Sequence, residues 1–110
     1  MFKRDSEDYI QSFMPSVMAY QDIVAVHPGI ILKNLMKAQG INIKQLSQKT
    51  NIPLGRIQEI YDNHALPDDT TGEKLSVALH QRKDFFFYSR LDYMKCRSFI
   101  LDSKYGLKNR

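Results

Sequence analysis

The chain has a single cysteine and no long apolar run. Because Cys96 is alone among the 110 residues, no disulfide can form within the chain. No stretch approaches the roughly 20 consecutive apolar residues of a membrane-spanning helix. The chain opens with the charged stretch FKRDSED and not with an apolar signal sequence. These absences predict a cytoplasmic protein in a reducing compartment, with no membrane partner.

The spacings typical of metal and nucleophilic centres are also missing. His27, His64, His80 and Cys96 form neither a C-x-x-C nor an H-E-x-x-H pattern. His27 is better explained as a residue that caps or flanks the first helix, and His64 and His80 fall at predicted helix ends. A lone thiol on an amphipathic helix usually serves packing. The sequence therefore predicts no enzyme, no cofactor and no metal site.

Composition favours one small domain, with 43% hydrophobic and 25% charged residues and no internal repeat. We divide it into an N-terminal extension (1–26), a helix-turn-helix domain (27–82), and a C-terminal helix with a basic tail (83–110). The net charge of +4 is concentrated in the last segment, which holds seven basic and three acidic side chains. This balance suits a polyanionic partner, although the middle segment is only weakly positive.

The middle of the chain has the spacing of two short helices joined by a tight turn, in the stretch NIKQLSQKTNIPLGRIQEIYDN. Ile43, Leu46 and Thr50 recur at intervals of three and four residues, as on one helical face. Asn42, just ahead of them, is a preferred N-cap residue. The pattern predicts a first helix over roughly 43–50.

The turn and the second helix follow directly. Asn51 stands where a helix ends in a left-handed residue, which Asn tolerates well. Pro53 suits the first helical position, and Ile57 and Ile60 supply the buried side. Two helices crossing through such a turn form a helix-turn-helix, whose second helix can enter the DNA major groove. The alternative is an ordinary pair of core helices.

The flanking segments predict three more helices and a partly helical extension. One helix starts at Pro28 and closes at Gly40, another is capped by Asp69 or Thr70, and the last begins near Asp84. In the extension, helical spacing interrupted by a proline predicts two short helical pieces or one kinked helix. That spacing is carried by Ile10, Phe13, Met14, Val17 and Met18. The predicted fold class is all-α with five helices. The extension either packs on the domain or is held out for a partner.

Four stretches follow one another along the chain: HPGIIL, GINIKQLSQKTNIPLGRIQEIYDN, TGEKLSVALH and DFFFYSRLDY. Their order resembles the lambda-repressor-like (Xre) helix-turn-helix domains of HigA-type antitoxins. The resemblance covers about residues 27–94 and includes an aromatic pair followed by a tyrosine, here Phe85, Phe86 and Tyr93. It implies a five-helix domain and a homodimer that binds a double-stranded DNA operator and represses its own transcription. It further implies neutralisation of a small ribonuclease toxin.

Several candidate site residues follow for a DNA complex. Arg56 and Gln58 have the chemistry to read guanine and adenine edges. Leu54 and Gly55 occupy base-reading positions where the family presents a polar pair, and they cannot hydrogen-bond to bases. The candidate phosphate contacts are Asn42, Lys44, Gln45 and Lys49. Ile43, Leu54 and Asp62 depart from the family pattern. The alternative function is therefore a helix-turn-helix fold used as a protein-binding module, or a stand-alone regulator without a toxin.

The last predicted helix carries more apolar bulk than one buried face requires. Such a surplus either covers the domain's own core or forms an interface between two copies. Its candidate interface residues are Phe86, Phe87, Leu91 and Met94.

Overall fold

The computed structural model of the protein describes residues 14–105, with side chains for residues 14–103. Its elements are β1 (Val17–Tyr20), β2 (Ile23–Val26), α1 (Pro28–Gln39), α2 (Ile43–Thr50), α3 (Leu54–Tyr61), α4 (Asp69–Ala78) and α5 (Phe85–Tyr105). Within these residues the prediction of five helices is confirmed. The prediction of a purely all-α fold is wrong, because a two-stranded antiparallel sheet precedes α1.

The sheet replaces the helix predicted around Met14, Val17 and Met18, while Ile10 and Phe13 lie outside the described residues. Val17 pairs with Val26 across the hairpin. β-branched residues favour a pleated strand, and a two-residue turn fits between the strands because Gln21 adopts φ 56°. Both faces of the ribbon are apolar, so the sequence shows no clear alternation of polar and apolar residues. The β-branched residues around the turn were the available signal.

Helix ends are set largely by local caps, and most lie where the sequence predicts them. Gly40 ends α1 at φ 66°, and Asn51 ends α2 at φ 62°. Two starts differ by one residue. Pro53, with ψ 137°, precedes α3 as its N-cap, and Asp68 caps α4 by accepting a hydrogen bond from the Thr71 N–H at 2.7 Å.

The main core lies between α1, α2, α3, α4 and the start of α5. Its buried members are Leu32, Met36, Leu46, Ile52, Ile57, Ile60, Leu75, Ala78, Leu79 and Phe86. A second cluster of Ala25, Tyr93 and Ile100 joins the hairpin to α5. Burial of these side chains is the main stabilising contribution. The hairpin packs on α5 through this second cluster.

His27 is fully buried at the start of α1, beside Tyr93 of the second cluster. Its Nδ1 accepts a hydrogen bond from the Gly29 N–H at 2.9 Å, which caps α1. Its ring contacts the Tyr93 ring edge-on at 4.9 Å, and its backbone N–H donates to the Ser16 carbonyl at 2.8 Å. Tyr93 donates its hydroxyl to the Pro15 carbonyl at 2.8 Å. These bonds attach the hairpin to the helical domain.

Gly29 allows α1 to approach the end of α3. A Cβ at this position would collide with the carbonyl oxygen of Ile60 and the side-chain oxygen of Asn63. Both atoms belong to the segment that closes α3, so the collision cannot be relieved by rotating one exposed side chain. The His-Pro-Gly start of α1 thus combines a cap, a residue suited to the first turn, and a close helix contact.

We expect Gly29→Ala to lower the free energy of unfolding by about 1–3 kcal/mol, the usual cost of overpacking. Gly55→Ala is the matched control, because a Cβ there meets nothing within 4 Å. That change should stabilise α3 by up to about 1 kcal/mol, since glycine is a poor helix former. Urea denaturation measures both. Equal stability of the two variants would contradict the close approach at Gly29.

The cap residue His27 should also make stability depend on pH. Burial, with the charge of Lys33 second, lowers the pKa of His27 from 6.5 to about 4. Between these values the unfolded chain holds the proton and the folded chain does not. The free energy of unfolding should therefore fall as the pH drops through this window, by on the order of 3 kcal/mol at most.

Urea denaturation at several pH values within that window measures the effect. His27→Asn is the control, because Asn also accepts a cap hydrogen bond but does not titrate. The two proteins should diverge in stability as the pH falls. Identical pH dependence in both would show that His27 does not carry the effect.

Candidate nucleic-acid interface

The turn between α2 and α3 is closed by side-chain hydrogen bonds. Ser47 donates its hydroxyl to the Ile52 carbonyl at 2.6 Å, and Thr50 donates to the Leu46 carbonyl at 2.8 Å. The Ile52 N–H in turn donates to the Thr50 hydroxyl at 3.2 Å. With Ile52 and Leu46 buried in the core, these bonds fix the relative orientation of the two helices. The pair is a helix-turn-helix with a well-defined turn.

The start of α2 is held by a reciprocal cap. The Gln45 N–H donates to Asn42 Oδ1 at 2.8 Å, and the Asn42 N–H donates to Gln45 Oε1 at 2.9 Å. Lys44 and Lys49 are both exposed on the same helix. All four predicted phosphate contacts thus lie on α2 or immediately before it, but two of their side chains already serve the cap.

The outward side of α3 carries two carboxylates, although none of the predicted base-reading residues on this helix is acidic. Ile57 and Ile60 are fully buried. Since successive helical residues are about 100° apart, the side opposite them holds Gly55, Glu59 and Asp62, which are all exposed. Sequence reasoning did not include Glu59 among the site residues. The available signal was its position four residues after Gly55, which places both on one face of the helix.

Arg56 lies to the side of this surface and is paired with Asp68. Its guanidinium donates to Asp68 Oδ2 at 2.8 Å, while Oδ1 of the same carboxylate accepts the cap bond from Thr71. The Thr71 hydrogen bonds, and to a smaller extent Arg56, lower the pKa of Asp68. The Arg56 side chain is therefore turned towards the start of α4.

The other candidate base-reading residues differ in what they offer. Gln58 donates from its side-chain amide to Asp62 Oδ2 at 3.1 Å, so it too has a carboxylate partner. Leu54 is 47% exposed, and Gly55 has open space in front of its Cα. The N-terminal end of α3 is therefore apolar and sterically open. Its polar side chains are engaged within the chain.

The predicted dimer residues on α5 fall into two groups. Phe86 is fully buried in its own core, where its N–H donates to the Ser76 hydroxyl at 3.1 Å. It cannot contact a second copy, so its prediction as an interface residue is corrected. The helix turns Phe86 inward and leaves Phe87 and Met94 exposed by 38% and 47%, with Leu91 partly buried beside them.

No helix among the described residues is long and apolar enough to cross a membrane. Within the same residues, no three side chains of His, Cys, Asp or Glu come together as a group able to hold a metal ion.

Helices α1 to α4 form a helix-turn-helix fold, which is followed by the long helix α5. No family model matches the chain, and no curated protein matches it. Among solved structures, the chain is similar to an addiction module antidote protein of the HigA family from Coxiella burnetii, with a TM-score of 0.61 and 21% sequence identity. The match covers 76% of this chain and 88% of that one. The two proteins share a fold.

Proposed function

We propose that the chain is an antitoxin that binds its operator DNA as a two-fold dimer, represses its own transcription and neutralises a small ribonuclease toxin. The observation that carries the DNA-binding part is the fixed helix-turn-helix, whose α2 and α3 keep one side out of the core. The antitoxin part is supported by the shared fold with a protein described as an addiction module antidote. The proposal assigns the chain no reaction.

Electrostatics favour an approach of DNA led by α2. Lys44 and Lys49 are exposed there, and lysines that neutralise phosphates supply most sequence-independent affinity. Base reading then depends on Arg56 and Gln58 leaving their carboxylate partners. Exchange of an exposed ion pair for a base contact costs little, because such pairs contribute about 0–1 kcal/mol.

A second function is supported by the same surface. Glu59 and Asp62 face outward on α3, and the apolar Leu54 stands at its start. An acidic and partly apolar helix suits a protein partner better than a polyanion. In this alternative the fold is a protein-binding module, or a stand-alone regulator if no toxin is encoded beside it.

Binding to the chain's own upstream DNA, measured by electrophoretic shift at several salt concentrations, separates the two functions. The proposed function predicts a specific complex whose affinity falls steeply with salt. The protein-binding alternative predicts no complex even at low salt. An unrelated duplex of the same length serves as the control for specificity.

Two substitutions at the Arg56 pair should change DNA affinity in opposite directions. Arg56→Ala should cost on the order of 1–3 kcal/mol and relax the preference at one base pair. Asp68→Asn keeps a side-chain cap on α4 but frees Arg56. It should tighten binding by roughly 1 kcal/mol, the scale of one exposed ion pair.

Asp69→Asn is the matched control for charge, because Asp69 pairs with Arg90 at 2.8 Å and not with Arg56. Fluorescence anisotropy with a labelled operator measures all three variants. If Asp68→Asn and Asp69→Asn tighten binding equally, the gain reflects net charge alone, and the release of Arg56 from Asp68 does not contribute to DNA affinity. If Arg56→Ala weakens every DNA sequence equally, Arg56 is a phosphate contact.

Dimerisation is expected through the exposed apolar side of α5, because one recognition helix reads only a few base pairs. A two-fold dimer would place two such helices about 34–36 Å apart. Leu91→Asp should give a folded monomer, since a two-fold interface uses the same patch twice. Light scattering gives the mass, and circular dichroism confirms folding.

Val77→Asp is the matched control for that change, since Val77 is an apolar side chain on α4 that is 58% exposed. It should leave the dimer intact. A wild-type chain that is monomeric at high concentration would contradict the proposed dimer. An unfolded Leu91→Asp protein would place Leu91 in the core instead, and Phe87→Asp then tests the same surface.

A further inference from the structure

A groove of about 730 Å³ lies between α1 and the start of α2, with Tyr61 of α3 at one side. Three lysines line it: Lys33 and Lys37 from α1, and Lys44 from α2. No Asp or Glu is among the residues that line it. We refer to this site as the lysine groove.

The charge of the lysine groove is not neutralised by the ion pairs of the described residues. Those pairs join arginines to aspartates on α3, α4 and α5 and around the α4–α5 turn, and none involves the three lysines. Other grooves differ. The groove lined by Lys49 and Lys74 is also lined by Glu73. The groove lined by Arg82 is also lined by Asp84, whose carboxylate accepts a hydrogen bond from the Arg82 guanidinium at 3.0 Å.

The walls of the lysine groove combine apolar and amide groups. Met36, Ile41 and Ile43 contribute apolar surface, while Asn34 and Asn42 add amide groups. A cleft of one charge with low-dielectric walls concentrates the electric field and attracts counter-ions of the opposite sign. The chemistry is therefore that of an anion site.

Lys33 is held in place within the groove. Its ammonium lies 5.0 Å from the centre of the Tyr61 ring, a cation–π distance. Its charge also contributes to the lowered pKa of His27, which caps α1. A lysine positioned in this way loses less side-chain freedom on binding than a free one.

We infer that Lys33 and Lys37 bind backbone phosphates of the same DNA strand as Lys44, so that the phosphate-binding surface extends from α2 across α1. The inference rests on the proposed function, because it supposes that DNA lies along α2. It adds two residues of α1 that sequence reasoning did not assign. Their contacts carry no base preference, since phosphates are the same at every position.

The test measures the dependence of DNA affinity on salt for the full chain and for Lys33→Ala and Lys37→Ala. The slope of log affinity against log salt is negative, and the loss of one phosphate contact should make it less steep by about 0.9. When salt rises from about 50 to about 200 mM, the factor by which affinity falls should be roughly threefold smaller for each variant than for the wild type. The loss should be equal on operator and unrelated DNA.

Lys83→Ala is the control, because Lys83 is exposed in the turn before α5 and does not line the groove. It should keep the wild-type slope, and circular dichroism should show all three variants folded. Unchanged slopes for both α1 variants, with wild-type binding intact, would overturn this inference alone. Absence of any wild-type complex at low salt would overturn it together with the proposed function. Variants that lose affinity for an RNA duplex but not for DNA would assign the groove to RNA.

Discussion

The close approach of Gly29 to the end of α3 is the contact on which the other elements depend. Because no Cβ stands there, the Ile60 carbonyl and the Asn63 side chain can pack directly against the start of α1. The same turn of α1 is capped by His27, whose ring meets Tyr93 of α5. The helix-turn-helix, the long helix and the hairpin are thus all positioned from one junction of three consecutive residues.

The surface of the helix-turn-helix separates charge between its two helices. The lysines lie on α2 and along α1, whereas α3 faces outward with Glu59 and Asp62, and Arg56 is drawn towards Asp68. Phosphate contacts and base contacts would therefore come from different helices. A polyanion is attracted to the lysines of α1 and α2 and meets carboxylates at α3. Any specific complex with DNA must therefore rearrange the side chains of α3. Binding to DNA requires the carboxylates of α3 to be turned away, whereas binding to a protein partner can use them where they are.

Much of the helical part could be predicted because helix ends depend on nearby residues. The cap at Asn42, the left-handed Asn51 and the terminating Gly40 each act through their own backbone and the adjacent turn. The hairpin could not be predicted in the same way. Met18, Ala25 and their neighbours are apolar on both faces, so no period of two stands out, and the helical spacing that ends at Met18 predicted a helix instead. Packing on α5 decides that these residues form strands.

By itself the sequence determined five helices, the turn between α2 and α3, and the glycine that ends α1, since each follows from local backbone preference and capping. Only the tertiary structure decided that Arg56 meets Asp68, that Phe86 is buried while Phe87 is exposed, and that lysines of α1 and α2 share one groove. The physical reason is that these relations depend on how helices are oriented in space. That orientation is set by close packing of the core, which no short spacing pattern encodes.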